Sequence, residues 1–286
     1  MRRLFPVTDQ TPAAGQATAP SHGSSRGPSE PLPGPGSPDP SGPLADREWS
    51  LDELAEAYAY PVLEDGAHWL RANMVSTLDG AAQHEGRSQP ISGESDMRIF
   101  GTLRGLADVV VVGAETVRQE GYRPARAREA FAGRRAAAGQ GPAPAIAVVT
   151  AGLDLDFSLP LFTSPLVATL VVTGAAAPAD RVAEAVRAGA EVVVAGDGAS
   201  VDPARALREL AGRGLRRQLT EGGPRLLGQI VAADALDELC LTISPVLTAG
   251  DAQRIAGGPP LAVPHRLAPA CVLEEAGFLF TRYRRI

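Results

Sequence analysis

Buried apolar strands alternate with amphipathic helical stretches along most of this 286-residue chain, and that alternation limits the folds available to it. Residues 107–113, ADVVVVG, form a nearly continuous run of valines, which is typical of a central strand covered on both faces. Such alternation favours a largely parallel sheet with helices on both faces, and we predict an α/β fold. Strands are predicted at Trp69–Thr77, 107–113, 145–150, 168–174, 191–195 and 215–219, and helices at 95–106, 179–188, 203–212 and 224–231.

The last part of the chain has longer strand-like runs. Residues 237–248 are predicted to form one strand interrupted at Pro245, and residues 271–284 a strand pair that bends at Gly277. We expect both segments to add antiparallel strands to one edge of the sheet. An edge of this kind is also a candidate homodimer surface.

Composition divides the chain into three segments. Residues 1–47 are rich in Pro, Gly, Ser and Ala and poor in large apolar residues, which predicts a disordered tail. Residues 48–68 are predicted to be a short helical extension, in which Ser50 and Glu53 have the spacing of a capping box and the helix ends before Pro61. Residues 69–286 are then the main domain.

The absence of lysine excludes several classes of chemistry. All 27 basic residues are arginine, so neither a P-loop nor a pyridoxal Schiff base is available. The histidines are widely separated, and no metal site is predicted. Cys240 and Cys271 lie in apolar runs, where buried reduced thiols are expected. The histidines are His22, His68, His84 and His265.

Charge and hydropathy predict neither a nucleic-acid partner nor a membrane segment. The net charge is -6, and the arginines are scattered along the chain. No apolar run approaches the roughly 18 residues that a membrane span needs, and the first residues lack the apolar region of a secretion signal. We therefore expect a cytoplasmic protein with a small-molecule partner.

A strand, a glycine turn and a helix start follow one another within residues 218–227, QLTEGGPRLL. Adjacent Gly222 and Gly223 allow a ligand to approach the backbone, and Pro224 suits the first helical position. Free N–H groups at the start of this helix would suit a pyrophosphate. Glu221 beside such an anion site indicates a second ligand with hydrogen-bond donors. An ordinary strand-to-helix turn explains the same residues.

Other candidates also have structural explanations. Gly113 and the small hydroxyl residue Thr116 lie at the carboxyl end of the valine-rich strand. Open α/β sheets bind ligands at this end of their strands. Asp79 before a glycine is a common turn former, and Arg104 in the last turn of a helix is favoured by the helix dipole. Residues 196–201, GDGASV, imitate a dinucleotide motif but lack its third glycine, so Asp202 before Pro203 is better explained as a helix cap.

Four motifs in order resemble the reductase domain of bacterial riboflavin biosynthesis enzymes. They are NMVSTLDG at 73–80, LRGLADVVVVGAETV at 103–117, TEGGPRLLG at 220–228 and LDELCLTISPVL at 236–247. The similarity is with the free-standing pyrimidine reductases of actinobacteria in particular, and it covers about residues 69–285. It implies a dihydrofolate-reductase-like three-layer sandwich, NADPH as hydride donor, a homodimer, and a substrate with a pyrimidine or pterin ring.

The resemblance also implies which residues bind the cofactor. Gly222 would shape the turn, and Arg225 is a candidate contact for the 2′-phosphate of NADPH. The implied NADPH contacts are Ser76, Gly113, Thr116, Thr150, Gly222, Gly223, Pro224, Arg225, Leu226 and Leu227.

The substrate side departs from the family pattern. Where that pattern has T-V-x-x-D-D-P-x-L-x-x-R, this chain has TVRQEGYRPAR, so Glu120 replaces an aspartate and the phosphate-facing arginine has no direct counterpart. The carbon of a C=N bond accepts a hydride more readily when the nitrogen is protonated. A carboxylic acid with a raised pKa could supply that proton, and Glu120, then Asp79, are the candidates. The implied substrate contacts are Asn73, Ser88, Arg104, Arg123, Arg126 and Glu221.

We therefore predict an NADPH-dependent reductase of a phosphoribosylamino-uracil in riboflavin biosynthesis. Because the altered segment lies in a fold shared with dihydrofolate reductases, reduction of a pterin is the alternative activity. An NADPH-binding protein without turnover is the alternative of a different class.

Overall fold

The computed structural model describes residues 1–5 and 48–286 of the chain, and within them ten strands form one sheet. Their order is β1-β9-β10-β8-β2-β7-β3-β4-β5-β6. The strands are β1 (Arg2–Phe5), β2 (Trp69–Thr77), β3 (Val109–Gly113), β4 (Ala145–Val149), β5 (Leu170–Thr173), β6 (Glu191–Val194), β7 (Arg217–Thr220), β8 (Glu238–Ser244), β9 (Leu267–Glu275) and β10 (Phe278–Arg285). The helices are α1 (Leu51–Ala57), α2 (Glu94–Leu106), α3 (Ala114–Glu120), α4 (Glu129–Ala137), α5 (Pro160–Thr163), α6 (Ala179–Arg187), α7 (Pro203–Gly212) and α8 (Pro224–Ala232), with a 3-10 turn at Gln89–Ile91.

Strand direction agrees with the predicted parallel sheet, with one correction. All the pairs from β8 across to β6 are parallel, so β8 is not one of the antiparallel additions expected at the edge. The reason is α8, which carries the chain back from β7 to the start of β8 and makes this segment a parallel crossover. The antiparallel pairs are β8 with β10, β10 with β9, and β9 with β1. The predicted bend at Gly277 is confirmed between β9 and β10.

Two apolar cores lie on opposite faces of the sheet, because alternate residues of its buried strands point to opposite sides. On β3, Val110 and Val112 pack with α2 and α4, whereas Val109 and Val111 pack with α7 and α8. The expected α/β class with helices on both faces is therefore confirmed.

The N-terminal extension packs on the sheet through α1. Ser50 and Glu53 form the predicted reciprocal capping box at its start, and Leu54 is fully buried in the core. The C-terminal end of the helix is hydrogen-bonded to charged side chains of the sheet. Arg71 on β2 donates to the carbonyl of Tyr58 (2.7 Å) and to Glu238 on β8 (2.5 Å). The extension is thus held to the domain by polar contacts as well as apolar ones.

The first residues of the chain differ from the predicted disordered tail. Arg2–Phe5 pairs with β9 and becomes the edge strand of the sheet, because β9 offers an unpaired edge and Glu274 pairs with Arg2 at 3.0 Å. The rest of the predicted tail, residues 6–47, lies outside the described residues. In the parts of the chain that the structure describes, we find no helix of the length and apolarity needed to span a bilayer.

Candidate active site

A large cavity lies beyond the carboxyl ends of the central parallel strands. Its volume is about 1260 Å³, more than the roughly 300–1000 Å³ of a typical small-molecule site, so it has room for two ligands side by side. Gly113 ends β3 at its wall, Thr150 follows β4, and Glu221 follows β7. This is the edge at which open α/β sheets bind ligands.

The glycine turn between β7 and α8 forms one wall of the cavity. Gly222 has a φ of +79°, and its carbonyl accepts from the N–H of Gly113 at 2.8 Å, which holds the turn against β3. A Cβ on Gly223 would lie 2.6 Å from Oγ1 of Thr116. The backbone can therefore approach Thr116 this closely because position 223 is a glycine. No side chain caps α8, and its first N–H groups, at Arg225 and Leu226, have no partner within the helix.

Arg104 and Glu221 meet at the centre of the cavity wall. Nε and Nη2 of Arg104 donate to the two carboxylate oxygens of Glu221, each at 2.7 Å, and the Tyr122 hydroxyl donates to the same carboxylate. The guanidinium lies 4.4 Å from the Phe100 ring centroid. Burial, followed by the charge of Glu221, raises the pKa of Tyr122, so the phenol remains a donor. The guanidinium of Arg104, an implied substrate contact, is therefore engaged by Glu221, another implied substrate contact.

Glu120 and Ser88 are also brought together at the cavity. The Glu120 carboxylate accepts from both the backbone N–H and the hydroxyl of Ser88, each at 3.1 Å. Glu120 is exposed at the end of α3, so its carboxylate can also contact a ligand.

Three arginines follow α3 and line the same cavity, namely Arg123, Arg126 and Arg128. None of them forms an ion pair with another of the described residues. Arg128 was missed by the sequence analysis, although it is only two residues beyond Arg126. Its guanidinium packs on α2 at Gly101, where a Cβ would lie 2.3 Å from Nη1. Burial and the nearby charge of Arg104 lower the pKa of Arg128, and an anion bound here would relieve that repulsion.

Four predicted site residues do not line the cavity. Asp79 is exposed at the turn after β2, where it accepts from the Thr77 hydroxyl and from the N–H of Ala249 (2.6 Å). These hydrogen bonds lower the pKa of Asp79, the opposite of what a proton donor requires, so its turn-forming interpretation replaces the catalytic one. Ser76 donates to the Thr77 carbonyl. Gly222 and Leu227 are buried and do not line the cavity, and Leu227 lies in the core.

The remaining predicted residues do line the cavity. They are Asn73, Ser88, Arg104, Gly113, Thr116, Glu120, Arg123, Arg126, Thr150, Glu221, Gly223, Pro224, Arg225 and Leu226.

The dinucleotide-like GDGASV segment is explained by close packing instead. A Cβ on Gly196 would lie 2.1 Å from the carbonyl oxygen of Ser200, and Asp202 caps α7 by accepting from the N–H of Arg205 at 2.9 Å. The helix-cap interpretation is therefore confirmed.

One cavity residue gave no signal in the sequence. Asp96 lies in the first turn of α2, where acidic residues are common for electrostatic reasons alone. In the structure it is only 7% exposed and accepts from the hydroxyls of Ser92 (2.5 Å) and Thr242 (2.6 Å). Burial raises the pKa of Asp96, although these two hydrogen bonds act in the other direction.

Fold and site together define an α/β protein with a large cleft, in which a glycine turn and helix N-terminus adjoin a pocket of paired charges and arginines. The sequence pattern of the RibD C-terminal domain matches residues 68–275. The chain therefore belongs to the RibD C-terminal domain family, and the resemblance inferred from its motifs is confirmed.

Three similar proteins agree with this assignment. The chain is 30% identical over 179 residues to the 2,5-diamino-6-ribosylamino-4(3H)-pyrimidinone 5′-phosphate reductase of Archaeoglobus fulgidus, covering 62% of this chain and 80% of that protein. It is 33% identical over 187 residues to the enzyme of the same name from Methanothermobacter thermautotrophicus, covering 65% and 82%. The crystal structure of a pyrimidine reductase-like protein from Corynebacterium diphtheriae has a TM-score of 0.71 and 28% identity, covering 82% and 98%.

Proposed function

We propose that this protein is an NADPH-dependent reductase of a phosphoribosylamino-pyrimidine in riboflavin biosynthesis. The observation that carries the proposal is the single cavity in which the glycine turn of β7–α8 adjoins Arg104, Glu221 and the arginines after α3. Family membership and the names of the two archaeal relatives support the same reaction class.

The residues at the glycine turn fit a dinucleotide. Gly223 lets the turn lie directly against Thr116, where a Cβ would clash with its hydroxyl, and the open N–H groups of Arg225 and Leu226 suit a pyrophosphate. Arg225 is exposed at the cavity rim, where it can contact a 2′-phosphate. NADPH bound here would supply the hydride.

The opposite side of the cavity fits the second ligand. Because the Arg104 fork is held by Glu221, the substrate phosphate is assigned to Arg123, Arg126 and Arg128, which form no ion pair among the described residues. Phe100 and Met97 provide an apolar wall for the pyrimidine ring. The Glu221 carboxylate and the Arg104 guanidinium then fix the ring at the boundary with the cofactor site, where orientation has the largest effect on rate.

Glu120 is the proposed proton donor. Its carboxyl group lies at the cavity, held by Ser88, and can protonate the C=N nitrogen as the hydride reaches the neighbouring carbon. Asp79 takes no part because it lies outside the cavity.

NADPH oxidation by the purified protein tests the proposal. The absorbance of NADPH should fall when a phosphoribosylamino-pyrimidine is added, and Glu120→Gln should lower kcat by about 10²-fold or more, as expected for loss of a general acid, while the Kd for NADPH changes little. Glu209→Gln, on the outer surface of α7, is the matched control and should retain full activity. Saturable NADPH binding with no turnover of any pyrimidine would favour a binding protein, and turnover of dihydrofolate alone would favour the pterin alternative.

We also propose that the protein is a homodimer, as the resemblance implies, and that it is cytoplasmic. Support for the dimer comes from the sheet edge at β1, where Leu4 and Phe5 are about 40% exposed on a strand whose outer side pairs with none of the described strands. A monomeric mass in sedimentation velocity at micromolar concentration would contradict the dimer.

A further inference from the structure

Two oxygen-bearing side chains on one wall of the cavity lack the partners that burial normally requires. Asp96 is 7% exposed, yet its carboxylate contacts only two neutral hydroxyls and forms no ion pair within residues 1–5 and 48–286. Oδ1 of Asn73 is buried and has no hydrogen-bond donor among the described residues. Carboxylates are almost never fully buried unless they are paired, and buried acceptors are normally satisfied.

The two side chains lie on the same face of the sheet. Asn73 and Val75 lie on one face of β2, and Val75 pairs with Thr242 of β8, whose hydroxyl donates to Asp96. Both Asn73 and Asp96 line the cavity, together with Ser92 and Met97. The wall therefore presents acceptor oxygens, and a ligand that fits it must present hydrogen-bond donors.

The two pyrimidines that the proposed function allows differ in hydrogen bonding at C2 and at the neighbouring N1, which carries a hydrogen only in the uracil, and the proposal concerns C2. The 2,5-diamino-pyrimidinone has an amino group at C2, which donates two hydrogen bonds. The corresponding uracil has a carbonyl oxygen at C2, which only accepts them. An acceptor wall attracts the first and repels the second, and a site built to hydrogen-bond one group discriminates strongly against an analogue that lacks it.

We propose that Asp96, assisted by Asn73, binds the C2 amino group of the substrate and makes this reductase specific for the diaminopyrimidinone over the uracil. This inference rests on the proposed function and adds to it the identity of the ring. The raised pKa of Asp96 agrees with the assignment, because burial without a ligand disfavours its charge and an amino group from the substrate would restore a partner.

The test compares kcat/KM for the two ribosylamino 5′-phosphates at saturating NADPH, with the full-length protein. Wild type should prefer the diaminopyrimidinone by about tenfold or more, the difference expected when one charged hydrogen bond is replaced by repulsion. Asp96→Asn has nearly the same shape but presents an amide N–H. It should raise KM for the diaminopyrimidinone by about 10-fold to 100-fold, alter kcat/KM for the uracil by less than about threefold, and so remove the preference.

Two further variants separate recognition from folding. Thr242→Val removes a hydroxyl that donates to Asp96 but does not itself line the cavity. It should reduce the preference for the diaminopyrimidinone, but by less than Asp96→Asn does. Asp108→Asn changes another buried aspartate, which lies just before β3 and does not line the cavity. Its carboxylate accepts from the backbone N–H groups of Arg216 and Arg217. This control should affect both substrates equally, and the Kd for NADPH should be unchanged in Asp96→Asn.

The possible failures are distinguishable. A wild type that reduces the uracil at least as well as the diaminopyrimidinone would overturn the inference, as would Asp96→Asn lowering kcat/KM equally for both. A wild type that reduces neither compound would instead overturn the proposed function.

Discussion

Two arginine–glutamate pairs in this molecule share the same chemistry but lie in different surroundings. Arg71 and Glu238 join β2 to β8 with both side chains fully buried. Arg104 and Glu221 join α2 to the glycine turn, with side chains that are 20% and 5% exposed at the cavity. The first pair is enclosed by protein on every side, whereas the second is accessible to ligands.

The partners of each pair show what the difference means. Glu238 is shared by Arg71, Arg282 and Arg284, and Arg71 also donates to carbonyls at the end of α1. These arginine contacts join β8 to β2 and β10, and β2 to the end of α1. Glu221 instead accepts from Arg104 and Tyr122 next to the glycine turn, and both donors line the cavity. We infer that the buried network mainly stabilises the fold and that the cavity pair mainly orients ligands.

The largest expected effect is the loss of stability when Glu238 is neutralised. Glu238→Gln would leave three arginines around a neutral side chain, and breaking a buried ion pair from one side costs about 3–5 kcal/mol. Denaturant unfolding measures the free energy directly. The matched control is Glu274→Gln on β9, which removes a surface pair with the exposed Arg2 and should change stability by less than about 1 kcal/mol. Equal losses in the two variants would contradict the assigned role of the buried network.

A smaller effect on stability and a larger one on catalysis are expected at Glu221. Glu221→Gln retains the shape of the side chain but weakens both hydrogen bonds from Arg104, which should lower kcat/KM by about 10-fold to 100-fold. The free energy of unfolding should fall less than in Glu238→Gln, since water reaches the Arg104 side chain. Steady-state kinetics and denaturant unfolding on the same preparation test both statements. Unchanged kinetics with a large loss of stability would mean that the two pairs serve the same purpose.

The comparison also shows which features were predictable from sequence. Apolar periodicity is local, so β2 was predicted with the correct ends, and the order of β7, turn and α8 followed from adjacent residues. The direction of β8 depends on the crossover through α8, which residues 237–248 do not encode locally. The Arg104–Glu221 contact joins residues 117 positions apart, and each residue alone had another explanation. Asp96 was missed because its burial depends on Thr242, which is distant in sequence.

The smallest expected effect is a difference in acid sensitivity, which tests whether Glu238 is charged in the folded protein. Burial alone raises the pKa of Glu238, but the positive charges of Arg71 and Arg282 outweigh it and hold the pKa below the ordinary value of 4.5. A carboxyl group with a lowered folded-state pKa contributes stability above its unfolded pKa and loses that contribution as pH falls through the folded value. Wild-type stability should therefore fall as the solution is acidified below about pH 4.5, and more steeply than that of Glu238→Gln, which has no such group to protonate. Denaturant unfolding of both proteins between neutral pH and pH 3 measures the two slopes. Parallel slopes would show that the pKa of Glu238 is the same in the folded and unfolded protein, whereas a wild type that gains stability relative to Glu238→Gln on acidification would show that Glu238 is protonated in the folded protein at neutral pH.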